Sequence, residues 1–182
     1  MDNYFDPAES IDKMSKDEAI EWIMDTHGEK IKRFIYTYVK NRSQTDDLFQ
    51  DVLFAVYRQL HTFKQQSSFK TWLYRIAANK CKDYLRSPIH RLIIWKAQVI
   101  ERADDRTPEQ SLMLDEQKQA LLTKMLQLPI KYREVLILQY YQEFSINEIS
   151  ELLGINPSTV KTRIMRAKEK LKDELKEDFL YE

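Results

Sequence analysis

The sequence predicts an all-α protein: two small helical domains joined by a linker. Three observations predict it. Only two glycines, Gly28 and Gly154, occur in 182 residues, and a mixed or all-β fold normally needs more turn glycines. Apolar residues recur at three- and four-residue spacing through most of the chain, the period of a helix buried along one side. Capping signals punctuate that pattern at residues 15–18, 107–110 and 145–148. In each, a serine or threonine caps a backbone amide, and a glutamate or glutamine three residues on reaches back. A chain of this length holds one large domain or two small ones.

These signals place helices over 16–24, 29–40, 45–60, 69–86, 108–126, 130–142, 146–153 and 157–176. The first opens on the Ser15 box, and Gly28 lies between the first and the second. In the third, Leu48, Val52, Ala55 and Val56 make a core stripe. Asp47, Gln50 and Asp51 make a polar, acidic outer patch, although acids also suit the first turn of any helix.

In the fourth helix Leu73, Ile76, Ala77, Cys81 and Tyr84 suit a core. Trp72, Arg75, Asn79, Lys82 and Arg86 step by three and four along another face. Single-stranded nucleic acid wants that mixture, because bases stack on aromatic planes and cations follow the backbone. The loop before it, 61–68, can supply a pocket for an extruded base. The same residues fit a plainer arrangement, in which Trp72 anchors the core and the cations are solvated. Ser87-Pro88 stops the helix.

The expected layout is therefore a first domain over 1–86, a linker over 87–106 and a second domain over 107–182. The linker holds Leu92, Ile93, Ile94, Trp95, Val99 and Ile100. It is too apolar for a solvated tether and is expected to pack on these domains or on a partner. After it, Thr107 opens a helix with Pro108 at the first position, where the missing amide costs nothing.

Residues 145–172 carry the sharpest local pattern. Ile146, Ile149, Leu152 and Leu153 share one side of a short helix. Gly154 can take the positive φ that ends it. Asn156 can cap the next helix, and Pro157 suits its first position. There Val160, Ile164, Ala167 and Leu171 form a buried stripe, and Ser158, Lys161, Thr162, Met165 and Arg166 fall opposite. This is a helix-turn-helix, whose second helix uses its N-terminal half for base edges. Ser158, Lys161, Thr162 and Arg166 are placed to read bases, and Arg163 and Lys168 to hold phosphates. A helical hairpin with a solvated basic face is the bland alternative.

The zero net charge hides a strong asymmetry. Residues 1–29 carry nine acids against Lys13 and Lys16, a net of −7, and residues 156–172 carry six bases against Glu169, a net of +5. Such a bipolar chain can offer DNA its basic face and keep its acidic face away. The one cysteine, Cys81, cannot form an internal disulfide, which suits a reducing cytoplasm. No apolar run reaches the roughly 18 residues of a membrane span. There is no glycine-rich phosphate loop, and His27, His61 and His90 lack metal-ligand spacing. No catalytic group, metal or cofactor is expected.

Residues 46–52 (DDLFQDV), 69–79 (FKTWLYRIAAN), Asp83 and Arg86 resemble the second domain of extracytoplasmic-function (ECF) sigma factors. Leu128-Pro129, Tyr132-Arg133-Glu134-Val135, residues 146–154, residues 159–163 and Arg166-Ala167 resemble their fourth domain. Order and spacing agree over most of 20–172. The resemblance implies an alternative sigma factor that joins core RNA polymerase, directs it to promoters and promotes DNA opening. By that analogy Asp46, Asp47, Gln50 and Asp51 dock on core polymerase. Trp72, Arg75, Asn79, Lys82 and Arg86, with the 61–68 loop, hold the melted minus-ten element. Ser158, Thr159, Lys161, Thr162, Arg163 and Arg166 read the minus-thirty-five duplex. The linker would thread toward the polymerase channels. The family also implies an anti-sigma factor as partner, often membrane-anchored. The acidic stretch before Ile20 and the apolar linker depart from the family pattern. The alternative is a stand-alone helix-turn-helix regulator, which would bind duplex tightly without polymerase.

Overall fold

In the computed structural model the described residues are 11, 14–88 and 116–178, and they include helices and turns but no strand. The acidic segment 1–10, most of the linker, the Thr107 box and the first turns of the helix expected from 108 lie outside them. One compact unit comprises residues 1–86 together with 151–154, and the other comprises the rest of the chain.

The first unit holds α1 (Lys16–Val39), α2 (Arg42–Gln59), a single tight turn (Leu60–Thr62) and α3 (Phe69–Arg86). The Ser15 capping box forms: Glu18 N–H donates to Ser15 Oγ at 3.2 Å, and Ser15 N–H donates to Glu18 Oε2 at 2.8 Å. The two helices expected over 16–40 are one. Gly28 is buried in mid-helix, and a Cβ there would lie 3.6 Å from the Phe49 ring of α2. A helical glycine costs about 1 kcal/mol. Burial of Ile23, Ile31, Phe34 and Ile35 on the same helix outweighs it, at roughly 1.5–3 kcal/mol for each side chain. α2 starts three residues earlier than expected, because Asn41 Oδ1 accepts the Gln44 N–H at 3.0 Å and caps it.

The core of this unit is Ile23, Ile31, Phe34 and Ile35 from α1, Val52 and Val56 from α2, and Leu73, Tyr74, Ala77 and Cys81 from α3. Phe34 meets Tyr38 and Tyr74 edge-on, each with ring centroids 5.2 Å apart. Burial pushes the Cys81 thiol up to about 12, so this free cysteine behaves as a small hydrophobe. Tyr84, expected in the core, is half-buried.

The second unit holds α4 (Glu116–Gln127), α5 (Ile130–Leu136), most of α6 (Ile146–Leu153) and α7 (Pro157–Asp178). α5 widens into a π turn over Ile137–Tyr141, closed by Gln142 N–H donating to Ile137 O at 3.0 Å. The positive φ of Glu143, 57°, then turns the chain toward α6. The Arg133 guanidinium donates to the Leu126 carbonyl and ties the end of α4 to α5. The Ser145 box forms, with Ser145 N–H donating to Glu148 Oε2 at 2.8 Å. Gly154 has φ +65°, and a Cβ there would meet nothing within 4 Å. Glycine is wanted at this position for the sign of φ and not for space. The core gathers Leu128, Val135, Leu138, Ile149, Val160, Ile164 and Ala167. Ile146, Leu153 and Leu171 lie at its half-buried margin. No described helix is long and apolar enough to cross a membrane.

Candidate nucleic-acid interface

On α7 the spacing of Val160, Ile164 and Ala167 fixes which side faces the unit, since all three are buried. Ser158, Lys161, Thr162, Met165 and Arg166 are therefore turned outward and exposed, while Thr159 and Arg163 are half-buried. The Thr162 hydroxyl donates to the Ser158 carbonyl at 2.9 Å, which leaves its lone pairs for a donor. Lys168, expected on phosphates, sits with its ammonium 5.1 Å from the Tyr140 ring centroid.

Arg163 is arranged differently from the expectation of a loose phosphate contact. Its Nη1 donates to Glu134 Oε1 of α5 at 3.1 Å, and the Glu134 side chain is only 4 % exposed. A buried carboxylate holds its cation hard, because removing either partner strands a charge. Beside it Lys131, Tyr132, Ser158, Thr159, Thr162, Arg163 and Arg166 line a cup of about 280 Å³. Lys131 and Tyr132 were not among the expected site residues. Tyr132 opens the Tyr132-Arg133-Glu134-Val135 motif and Lys131 precedes it, but nothing local says that they meet α7.

The face of α3 is less open than its spacing suggests. Asn79 and Arg86 are exposed, and Arg75 and Lys82 are half-buried. Trp72 is 9 % exposed, with its ring 5.5 Å from both Phe63 and Phe69. It is a core anchor and not an open stacking plane. The cluster continues through Trp22, 5.9 Å from Phe69, to His27, 5.2 Å from Trp22. It pins Phe63 and Phe69 on either side of the 63–68 loop, where Lys64, Gln65, Gln66 and Ser68 are exposed. Ser68 Oγ accepts the Thr71 N–H at 3.1 Å and so fixes the loop's far end to α3.

On α2, Asp47, Gln50 and Asp51 are exposed together. Asp46 is spent on Lys32, 3.0 Å away. Phe54, one turn beyond Gln50 and Asp51, is 70 % exposed. It extends the acidic strip with an apolar end that the core-stripe pattern of this helix had no place for.

Comparison with known proteins matches two family models, Sigma-70 region 2 over residues 23–88 and Sigma-70 region 4 over residues 118–171. The ECF RNA polymerase sigma factor SigW of Bacillus subtilis is 33 % identical over 176 residues, spanning 91 % of this chain and 93 % of that protein. SigX of the same organism is 31 % identical over 175 residues, 89 % of this chain and 90 % of that protein. Among solved structures, the sigma factor RpoE of Bartonella quintana, in complex with the anti-sigma factor NepR, superposes with a TM-score of 0.71 at 22 % identity, covering 87 % of this chain and 98 % of that one. CnrH, in complex with the cytosolic domain of CnrY, gives 0.66 at 23 % identity, covering 94 % and 95 %. At that identity these two likenesses concern the fold.

Proposed function

The chain belongs to the ECF RNA polymerase sigma factors, and from that premise we propose which of its faces does which step. As an alternative sigma factor it binds core RNA polymerase, directs it to specific promoters and promotes opening of the DNA. The work is done by binding, with no catalytic group, metal or cofactor.

One observation carries the assignment of α7: the exposed row Ser158, Lys161, Thr162 and Arg166 stands over a buried stripe, behind a turn held by the positive φ of Gly154. That row enters the major groove of the minus-thirty-five element, with Thr159 and Arg163 at its flank. The 63–68 loop with Arg75, Asn79, Lys82 and Arg86 holds the melted minus-ten strand, and Trp72 serves it from below by fixing the loop's position. Asp47, Gln50 and Asp51 dock on core polymerase, with Phe54 as an apolar contact and Asp46 as their support. The working domains are residues 1–86 and 107–182 about the 87–106 linker.

A flipped base costs a few kcal/mol of unstacking, and stacking or pocket contacts return roughly 1–3 kcal/mol for each base. Opening is thus close to balanced, and polymerase supplies the rest. The chain acts in the cytoplasm, where polymerase is, and an anti-sigma factor holds it inactive, as NepR and RpoE form a complex.

Run-off transcription with purified core polymerase and a genomic template pool tests this. Specific transcripts that depend on the chain are expected. Tight promoter binding without polymerase, and no transcripts with it, would sink the proposal.

A further inference from the structure

We propose that the edge of α1 beside the 63–68 loop is a second site for single-stranded DNA, where Lys30 and Arg33 hold the backbone of the melted strand just downstream of the minus-ten element. This rests on the assignment of the loop and α3 to that element, and it carries the strand onward from them.

Along α1, Trp22, Thr26, Lys30 and Arg33 follow one another at four, four and three residues, so they share one side of the helix. Asp17, Glu21 and Asp25 form a separate row, and Glu18 and Glu29 border the first. Lys30 and Arg33 are exposed, and Trp22 and His27 are half-buried. That side is turned to the start of α3, because the Phe69 ring lies 5.9 Å from Trp22 and 6.5 Å from His27. Phe63, at the other end of the loop, lies 5.4 Å from Phe69. The rings therefore run without a break from the loop to α1.

The cations of this edge are uncommitted. Lys32, on the other side of α1, is spent on Asp46 at 3.0 Å, whereas no ion pair engages Lys30 or Arg33 among the described residues. Lys70, the residue after Phe69, adds a third charge from α3. Burial first, then the charges of Lys30 and Lys70, lower the His27 pKa from the ordinary 6.5. His27 thus brings a neutral ring, and the basic side chains around it bring the charge. Rings beside cations suit a single strand, whose bases stack while its backbone is neutralised. The strand held by the loop is paired on its upstream side, toward the minus-thirty-five duplex, and unpaired on its downstream side. A single-strand site next to the loop therefore takes the downstream part.

The test uses holoenzyme assembled from the full-length chain and core polymerase. Two fluorescent promoter fragments with an unpaired minus-ten strand are titrated across a range of salt. In the short one that strand stops at the end of the element, and in the long one it runs on unpaired. The long fragment should bind more tightly. On it, Lys30→Gln should reduce the slope of log affinity against log salt by about 0.7, and Lys30→Gln with Arg33→Gln by about 1.4. The slope on the short fragment, which ends before the patch, should stay as it was, as should the denaturation midpoint. A long-fragment slope that both variants leave unchanged would overturn the proposal and give these cations to another partner. An equal fall on both fragments would overturn it too, by placing them on the minus-ten element itself. So would a fall accompanied by a lowered midpoint, which marks a structural role. The minus-ten reading is judged separately, by whether binding of the short fragment depends on the minus-ten sequence. If it does and the long-fragment slope is unchanged, only the second site falls.

Discussion

α3 and α7 are both assigned to DNA, yet they are built on opposite terms. Nine of the 18 residues of α3 are buried, so the helix is a wall of its unit's core and spares only a narrow strip for a ligand. α7 stands on three buried side chains, Val160, Ile164 and Ala167, and nearly everything else along its described length is open. A helix of the first kind positions a neighbouring loop, and a helix of the second kind can itself enter a groove. Substitutions should therefore damage folding on α3 and recognition on α7.

The largest effect is expected at Trp72. Its ring is packed against Phe63 and Phe69, and truncating such a side chain costs about 3–5 kcal/mol. Trp72→Ala should lower the denaturation midpoint with the slope unchanged, and Trp72→Phe should restore most of the loss. A Trp72→Ala chain with a normal midpoint that fails only in promoter opening would break the comparison, because it would make this ring a base platform after all.

Next comes the exception on α7. Arg163 is tied to Glu134, which is 4 % exposed on its side chain. Arg163→Ala should cost up to about 3 kcal/mol, since a buried carboxylate loses its cation. Thermal melting of Arg163→Ala beside Lys161→Ala reads the contrast directly. Equal melting temperatures would mean that the ion pair is as weak as a surface one.

What the sequence could tell was local. The capping boxes at Ser15 and Ser145, the Gly154 turn and the 160–164–167 stripe depend on residues within a few positions of each other, and each forms as its pattern implies. What it could not tell was tertiary. The gap expected between residues 24 and 29 closes because Gly28, in mid-helix, lies against Phe49, which is distant in sequence. Arg163 is read as a phosphate contact only while Glu134, 29 positions away, is unknown to hold it. Trp72 lies at the margin of both faces of α3, where spacing alone cannot choose. The Lys131–Tyr132 wall had no periodic signature at all, because two adjacent residues on a short helix make no pattern.

A smaller, pH-dependent effect sharpens the comparison within the first unit. His27 lies against the Trp22 and Phe69 rings, beside the cluster that fixes the 63–68 loop. Burial first, then the charges of Lys30 and Lys70, lower its pKa from the ordinary 6.5. The unfolded chain therefore takes up this proton at higher pH than the folded one. Stability is complete above the unfolded value and declines as pH falls from there toward the folded value. Denaturation midpoints measured between roughly pH 7 and pH 5 should fall, and His27→Gln should flatten that limb. An identical decline in His27→Gln would assign it to other groups.

The smallest change in stability is expected at Lys161, and it is the most telling for α7. Its side chain is exposed on the outer row, so Lys161→Ala should shift stability by no more than about 0.5 kcal/mol. If Lys161 reads a base edge, the same substitution removes about 1–3 kcal/mol of discrimination at one position of the minus-thirty-five element. If it holds a phosphate, binding weakens alike on every sequence and the salt slope drops by about 0.9. Holoenzyme binding to a panel of single-base promoter variants separates the two. Discrimination lost at one base with the fold intact would make Lys161 the reader. Uniform weakening would make Lys161 a backbone anchor and move the base reading onto Ser158, Thr162 and Arg166.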